Sequence, residues 1–306
     1  MANITAAMVK ELRELSGAGM MDCKKALVET EGDIDAAIEL LRKKGLGKAA
    51  KKSDRLASEG LITVVISDDY KKATISEINS ETDFVAKNEN FINMTKKATE
   101  HMQESDVVTT EELLKTEIDG TPFEEYINIQ IATIGENLVV RRFTTLKAGE
   151  NGVVNGYCHS NGRVGVILAA KCDSEKTCEG ARELLKNIAM HAAAMNPQYL
   201  SADQIPADVL AKEEEIAKEQ LKKEGKPEKI WDKIIPGKIA KFKSDNTLLG
   251  QKFVMDDKKT VQEVIDEKAK ELGGEIELVE YVRYELGEGL EKKADDFASE
   301  VAAQLK

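Results

Sequence analysis

The chain reads as an α+β protein, and three observations predict that class. The first 41 residues show helical periodicity. Two later stretches each run strand, tight turn, strand, helix. After the second of them come two highly charged helices around Glu224-Gly225-Lys226-Pro227. Antiparallel hairpins each covered by a helix make a core of two similar antiparallel-sheet-plus-helix subdomains, into which the charged pair is inserted as an antiparallel helical hairpin.

At the N-terminus Thr5 is placed to cap a helix in which Met8, Leu12 and Leu15 share a face, and Gly17 or Gly19 stops it. Met20, Cys23 and Leu27 line one side of a second helix. Asp33 caps a third, where Ile34, Ala37, Ile38 and Leu41 fit the i, i+3, i+4, i+7 template. A bundle this small is marginal alone, which suggests a docking module. Residues 42–55, "RKKGLGKAAKKSDR", hold seven basic residues and one acid, with two glycines and little to bury. That composition predicts a mobile basic linker, either simply solvated or a tether for an acidic surface.

Beyond it the period changes. "LITVVI" (Leu61–Ile66) and "ATISEIN" (Ala73–Asn79) are strands joined by a polar turn. "SETDFVAKNENF" (Ser80–Phe91) lies where strand hands over to a helix starting near Glu89, and it sets Glu81 and Asp83 against Phe84. From the residues alone, Ser80, Thr82 or Asn88 caps that helix and Phe84 staples it to the local core. "GVVNGYCH" (Gly152–His159) and "RVGVILAAK" (Arg163–Lys171) flank an Asn-Gly turn. The helix after them buries Leu185, Ile188, Ala189 and Ala192. In the charged pair, Leu210, Ala217 and Leu221 make a thin seam for Ile230 and Ile234. Gly225 ends the first helix and Pro227 starts the second. Pro236-Gly237 is expected to kink or end the return helix. A pair so charged should project into solvent as an arm. "IELVEYVRYEL" (Ile276–Leu286) is a last strand. The closing "KKADDFASEVAAQLK" is a helix with Phe297, Val301 and Leu305 on one face.

The chain has 306 residues, 42% apolar and 33% charged, with a net charge of −12. Those figures argue against disorder and against non-specific nucleic-acid binding, which needs a basic footprint. No apolar run has the length of a membrane span, and the start "MANITAAMVKELREL" has no leader character, so a cytoplasmic location is expected. Cys23, Cys158, Cys172 and Cys178 form no CxxC pair and read as reduced thiols. His101, His159 and His191 sit in no triad or HExxH context. "SGAGMMDCKK" lies between helices rather than after a strand, and "GEGLEK" (Gly287–Lys292) lacks the third glycine of a nucleotide loop. No constellation here carries covalent chemistry. A binding adapter is the rival reading. An enzyme assembled from scattered acids finds no spacing in its favour.

"ETDFVAKN" (Glu81–Asn88) resembles the signature of the elongation factor Ts family, the guanine-nucleotide exchange factors of elongation factor Tu. Seven further segments resemble the family in the same order: "ITAAMVKELRELSGAGMMDCKKAL", "GDIDAAIELLRKKG", "GRVGVILAAK", "IAMHAAAMNP", "GKPEKI", "GQKFVM" and "VRYELGEGLEKKADDFASEVA".

The resemblance implies a ubiquitin-associated-like N-terminal module with its basic linker over residues 1–54 and a core N-subdomain over 55–150. A core C-subdomain follows in two parts, 151–199 and 245–280, around the arm at 200–244. A C-terminal module spans 281–306. It also implies translation elongation as the process, Tu as the partner in its GDP-bound and nucleotide-free states, and no cofactor, metal, nucleic acid or membrane. Thr82, Asp83, Phe84 and Val85 would then form the exchange wedge. Phe84 would enter between helices beside the Mg²⁺ site of Tu, and Asp83 would compete for hydrogen bonds there. Arg13, Lys51 and Lys52 would pair charges from the N-terminal module, and His159 would touch the third domain of Tu. His191 is expected to be structural. The working unit stays open between self-association through the arm and a heterodimer with Tu.

Overall fold

The computed structural model describes residues 4–290. The helix expected around Phe297, Val301 and Leu305 lies outside the described residues. The chain is α+β. Helices α1 (Ala6–Ser16), α2 (Met20–Glu29) and α3 (Ile34–Ala50) come first. Strands β1 (Glu59–Ile66) and β2 (Lys72–Ser80) lead to α4 (Asp83–Ala86) and α5 (Glu89–Glu104). Then come α6 (Thr110–Leu113), the short strands β3 (Glu117–Ile118) and β4 (Thr121–Pro122), α7 (Phe123–Ile134) and β5 (Val139–Lys147). Strands β6 (Gly152–Cys158) and β7 (Val164–Cys172) precede α8 (Glu175–Met195), α9 (Ala207–Lys223) and α10 (Trp231–Asn246). The short strands β8 (Lys252–Phe253) and β9 (Asp256–Thr260), α11 (Val261–Leu272) and β10 (Ile276–Glu285) complete the fold.

Two three-stranded sheets have the orders β1-β2-β5 and β10-β7-β6. Each is a hairpin whose second strand gains a third strand supplied much later in the chain. Strands β6 and β7 pair antiparallel from Gly152↔Lys171 to Cys158↔Gly165. Their turn closes with the Gly162 N–H donating to the His159 carbonyl at 2.8 Å, and Gly162 takes the left-handed conformation (φ 65°) that Asn-Gly turns supply.

Gly60 in β1 has a φ of 131°, and a Cβ there would stand 2.2 Å from the Ile78 carbonyl oxygen. No L side chain fits both constraints. Gly60→Ala is expected to cost at least about 2 kcal/mol of unfolding free energy, read by denaturant titration.

The described residues fall into two compact units. Of the described residues, the first comprises 4–62, Ser76–Phe143 and 285–290. Its N-terminal helices are capped as the sequence predicts. Thr5 accepts from the Met8 N–H, Asp33 accepts from the Ala36 N–H, and Gly17 ends α1 in the left-handed region. Leu12, Cys23, Leu27 and Ala37 are buried together, and Ile129 of α7 joins them. Met20 departs from the expected face: it is exposed, and the buried stripe of α2 begins one turn later at Cys23.

The predicted mobile linker is corrected. Residues 42–50 continue α3 without a break. Lys, Leu and Ala favour helix. Gly45 and Ala49 are small enough to let α3 lie along α7, where a Cβ on Gly45 would come within 3.8 Å of Asn128 and Ile129. Arg42 Nε pairs with Glu125 Oε1 of α7 at 2.7 Å. A second cluster packs Phe91, Met94, Met102, Leu113, Phe123 and Ile131 with Ala49 of α3.

The second unit comprises Thr63–Ile75 and Thr144–Tyr284. Its core joins Val166 and Leu168 of β7, Leu185, Ile188 and Ala192 of α8, Ile265 of α11 and Leu278 of β10. Buried His191 is structural in its geometry. Its Nε2 faces Gln251 Oε1 at 3.0 Å, and its Nδ1 accepts from the Val254 N–H at 3.1 Å. Both bonds are made only by the neutral Nε2–H tautomer. Burial holds its pKa below the usual histidine value, against the Gln251 contact, which raises it. The unfolded chain therefore takes up a proton near pH 6.5 that the folded chain refuses, and stability falls as pH drops below that value. His191→Gln is expected to flatten this acid limb in urea titrations between pH 7 and 5.

In the helical pair, Gly225 (φ 69°) closes α9 and Pro227 opens the turn into α10. The buried seam is Ala217, Leu221 and Ile235 rather than Ile234. Helix α10 does not end at Pro236 but runs through it. The hydrogen bond that the proline cannot donate would reach the carbonyl of exposed Asp232, where solvent can replace it.

Candidate functional site

Helix α4 is a single turn that projects from the end of β2. Thr82 is its N-cap and accepts from the Val85 N–H at 3.4 Å. Asn88 caps α5 through the Asn90 N–H at 2.8 Å. Of the three candidate caps for the helix from Glu89, Asn88 holds; Thr82 instead caps the separate turn α4, and the staple does not form. Phe91 fills the core position, while Phe84 is 79% exposed. Val85 is half-buried against the core around Phe91, so Phe84 is the apolar side chain this turn presents. Asp83 forms an i,i+4 pair with Lys87 at 2.7 Å, and the Lys87 ammonium stands 6.0 Å from the Phe84 ring centroid.

The turn is anchored from a distant segment. Helix α7 stops at Gly135, and the next residue, Glu136, reaches back. Its carboxylate accepts from the Glu81 and Thr82 N–H groups, both at 3.0 Å, and from the Thr82 hydroxyl at 2.6 Å. Glu81 returns the contact by accepting from the Asn137 N–H at 2.7 Å. The Asn137 amide donates to the Arg55 carbonyl at 2.8 Å. Ser80 Oγ donates to the Thr82 carbonyl at 3.1 Å. Nothing in the sequence flagged Glu136. Its only local signal is a Gly-Glu-Asn run just past a helix stop.

The other sequence-derived residues are placed separately. Arg13 is exposed in the last turn of α1. Lys51 is exposed at the C-cap of α3. Lys52 is half-buried, its ammonium donating to the Gly135 carbonyl at the surface. In the second unit, His159 is exposed beside the hairpin turn, its Nδ1 bonded to the Tyr157 hydroxyl at 2.9 Å. Further apolar side chains stand more than half exposed: Met20 and Met21 in the first unit, and Val254 and Met255 between β8 and β9 in the second.

The anchored turn leaves Phe84 exposed, and Arg13, Lys51 and His159 are exposed as well. Burial lifts the Cys158 thiol to about 11, so it is no ready nucleophile. Among the described residues no group of three or more His, Cys, Asp or Glu could hold a metal, and no helix is long and apolar enough to cross a membrane.

The profile of the family described as Elongation factor TS matches residues 81–288, from the anchored turn to the Gly287 segment. An Elongation factor Ts of Nitratiruptor sp. is 62% identical over 303 residues, covering 99% of each chain. That of Nautilia profundicola is 58% identical over 306 residues, covering 100% of both. That of Helicobacter pylori is 48% identical, again over 100% of both. With its full length matched at these identities, the chain belongs to the elongation factor Ts family.

Proposed function

We propose that this chain promotes release of GDP from elongation factor Tu, allowing GTP to load during protein synthesis. Exchange on Tu is the general role of the family, and the family implies Tu as partner. The observation that carries the reading to particular residues is Phe84: a large aromatic held on an anchored turn, yet 79% exposed. A side chain that its own core leaves out is available to another.

The mechanism is linkage. Tu holds GDP through backbone amides and a Mg²⁺ ion. Phe84, entering between helices beside that ion, displaces their support, and Asp83 competes for hydrogen bonds there. Factor and nucleotide then lower each other's affinity by one ratio. No covalent step is needed, so the chain acts as an exchange factor rather than an enzyme. Thr82 and Val85 hold the turn that carries the wedge. Arg13 and Lys51 grip the nucleotide-binding domain, with Lys52 fixing the end of α3, and Met20 and Met21 add apolar contact. His159, with Val254 and Met255, meets another surface of Tu.

On this reading residues 1–54 form the ubiquitin-associated-like module, 55–150 the core N-subdomain, and 151–199 with 245–280 the core C-subdomain. Residues 200–244 form the coiled-coil arm, through which copies can associate, and 281–306 the C-terminal module. The setting is cytoplasmic. The test is stopped-flow release of a fluorescent GDP analogue from Tu. Acceleration by the full chain is expected. An unchanged release rate despite binding leaves only an adapter.

A further inference from the structure

We infer that Glu136 is a positioning residue for the exchange wedge: its carboxylate fixes the direction in which Phe84 projects. This rests on the assignment of Phe84 to the wedge. Helix α4 is held to the core by half-buried Val85 and capped by Thr82. Four residues make one turn, which has no stability of its own. Phe84 lies outside the core cluster, so core packing does not orient its ring. Its direction follows from the backbone at Glu81 and Thr82, just before it.

Both of those N–H groups, and the Thr82 hydroxyl, converge on the Glu136 carboxylate at 3.0, 3.0 and 2.6 Å. Hydrogen bonds to an ionised acceptor are short and strong, and three on one side chain leave the turn little freedom. The Glu81 carboxylate in turn accepts from the Asn137 N–H at 2.7 Å. This crossed pair ties both side chains into one backbone corner, each carboxylate accepting from the other segment's N–H groups. Arg55 Nη1 stands 3.5 Å from the same Glu81 oxygen, Oε1. The result is a preformed wedge. Ordering α4 before contact removes that entropic cost from the encounter with Tu.

The same loop reaches the end of the N-terminal helices. Gly135 accepts from Lys52, and the Asn137 amide donates to the Arg55 carbonyl. The three residues Gly135, Glu136 and Asn137 thus fix α4 relative to the end of α3 within the first unit.

The test uses the full chain with Phe84→Ala, Glu136→Ala, Glu136→Gln and the Phe84→Ala/Glu136→Ala double variant. Release of the GDP analogue from Tu is followed against factor concentration, which separates the maximal rate from half-saturation. Glu136→Ala is expected to lower the maximal rate about tenfold and to change half-saturation less. Glu136→Gln, which keeps the size and one acceptor oxygen, should fall between it and the native chain. In the Phe84→Ala background Glu136→Ala should add nothing. Amide hydrogen exchange should quicken at Glu81 and Thr82. If Glu136→Ala fails to fold, the Gln variant carries the same comparison. The inference is overturned if Glu136→Ala costs an equal factor with and without Phe84, which is general damage. It is overturned also if exchange is unaffected by Glu136→Ala while Phe84→Ala impairs it, an outcome that leaves the wedge standing. An unimpaired Phe84→Ala variant removes the wedge, and the positioning role with it.

Discussion

Phe84→Ala is expected to slow GDP release from Tu at least about tenfold while leaving the chain as stable as before. The two halves of that result have separate causes. Burying a phenylalanine side chain is worth roughly 1.5–3 kcal/mol, about ten- to a hundredfold in an equilibrium constant. That energy is gained in the complex, because in the free chain the ring is 79% exposed and little is lost with it. A core phenylalanine such as Phe91, fully buried, would behave in the opposite way, losing stability first. Melting curves of the native and variant chains, beside their exchange rates, separate the two. Loss of stability with unchanged exchange contradicts the wedge. Phe84 does not act alone, since one ring cannot supply the whole coupling. We propose that Arg13, Lys51, Met20, Met21, His159, Val254 and Met255 share it.

Glu77→Gln is expected to destabilise the fold by about 3 kcal/mol and to leave Phe84 and its turn untouched in sequence. Glu77 is completely buried in β2, a costly place for a carboxylate. Arg141 Nη1 donates to it at 2.9 Å, Arg142 Nε at 2.6 Å, the Asn79 amide at 3.2 Å and the Gly287 N–H at 2.9 Å. Arg141 also donates to the Glu288 carbonyl, and Arg142 reaches the Glu285 carbonyl at 3.1 Å. The cluster clamps the end of β10 and the turn after it within the first unit. The "GEGLEK" glycines thus find a structural use: Gly287 and Gly289 both take positive φ, and Gly287 is held on Glu77.

Burial pushes the Glu77 pKa up. The Gly287 N–H, the two guanidinium groups and Asn79 together outweigh it and hold the carboxyl below its usual value. The ionised form is therefore favoured by folding. Its contribution is fully present above the unfolded value near pH 4.3 and is lost as pH falls through the lower folded value. Glu77→Gln removes that contribution at every pH. Urea titrations at pH 7 and pH 3.5 should show a smaller acid loss in the variant than in the native chain.

What the sequence disclosed was local. Thr5, Asp33 and Asn88 could be named as caps because a cap bonds to an N–H two or three residues away. The two hairpins were legible because alternation and turn residues lie side by side. What it hid was decided at a distance. The continuation of α3 through "RKKGLGKAA" depends on α7, some 80 residues later, and without that partner the segment reads as linker. Strand β5 carries Arg141 and Arg142 in place of clean alternation, because both face Glu77. Glu136 bonds to Thr82 across a separation of 54 residues. The orientation of Phe84 was undecidable locally, since capping and stapling use the same residues, and only the packing of Phe91 and Val85 shows that the ring is left outside.

The most direct measurement is the affinity of this chain for Tu by titration calorimetry, with Tu empty and with Tu saturated by GDP and Mg²⁺. An exchange factor must bind the empty state more tightly, and by the same ratio by which it weakens GDP binding. Tighter binding to empty Tu than to GDP-loaded Tu is the expected result. Equal affinity for empty and GDP-loaded Tu would contradict it.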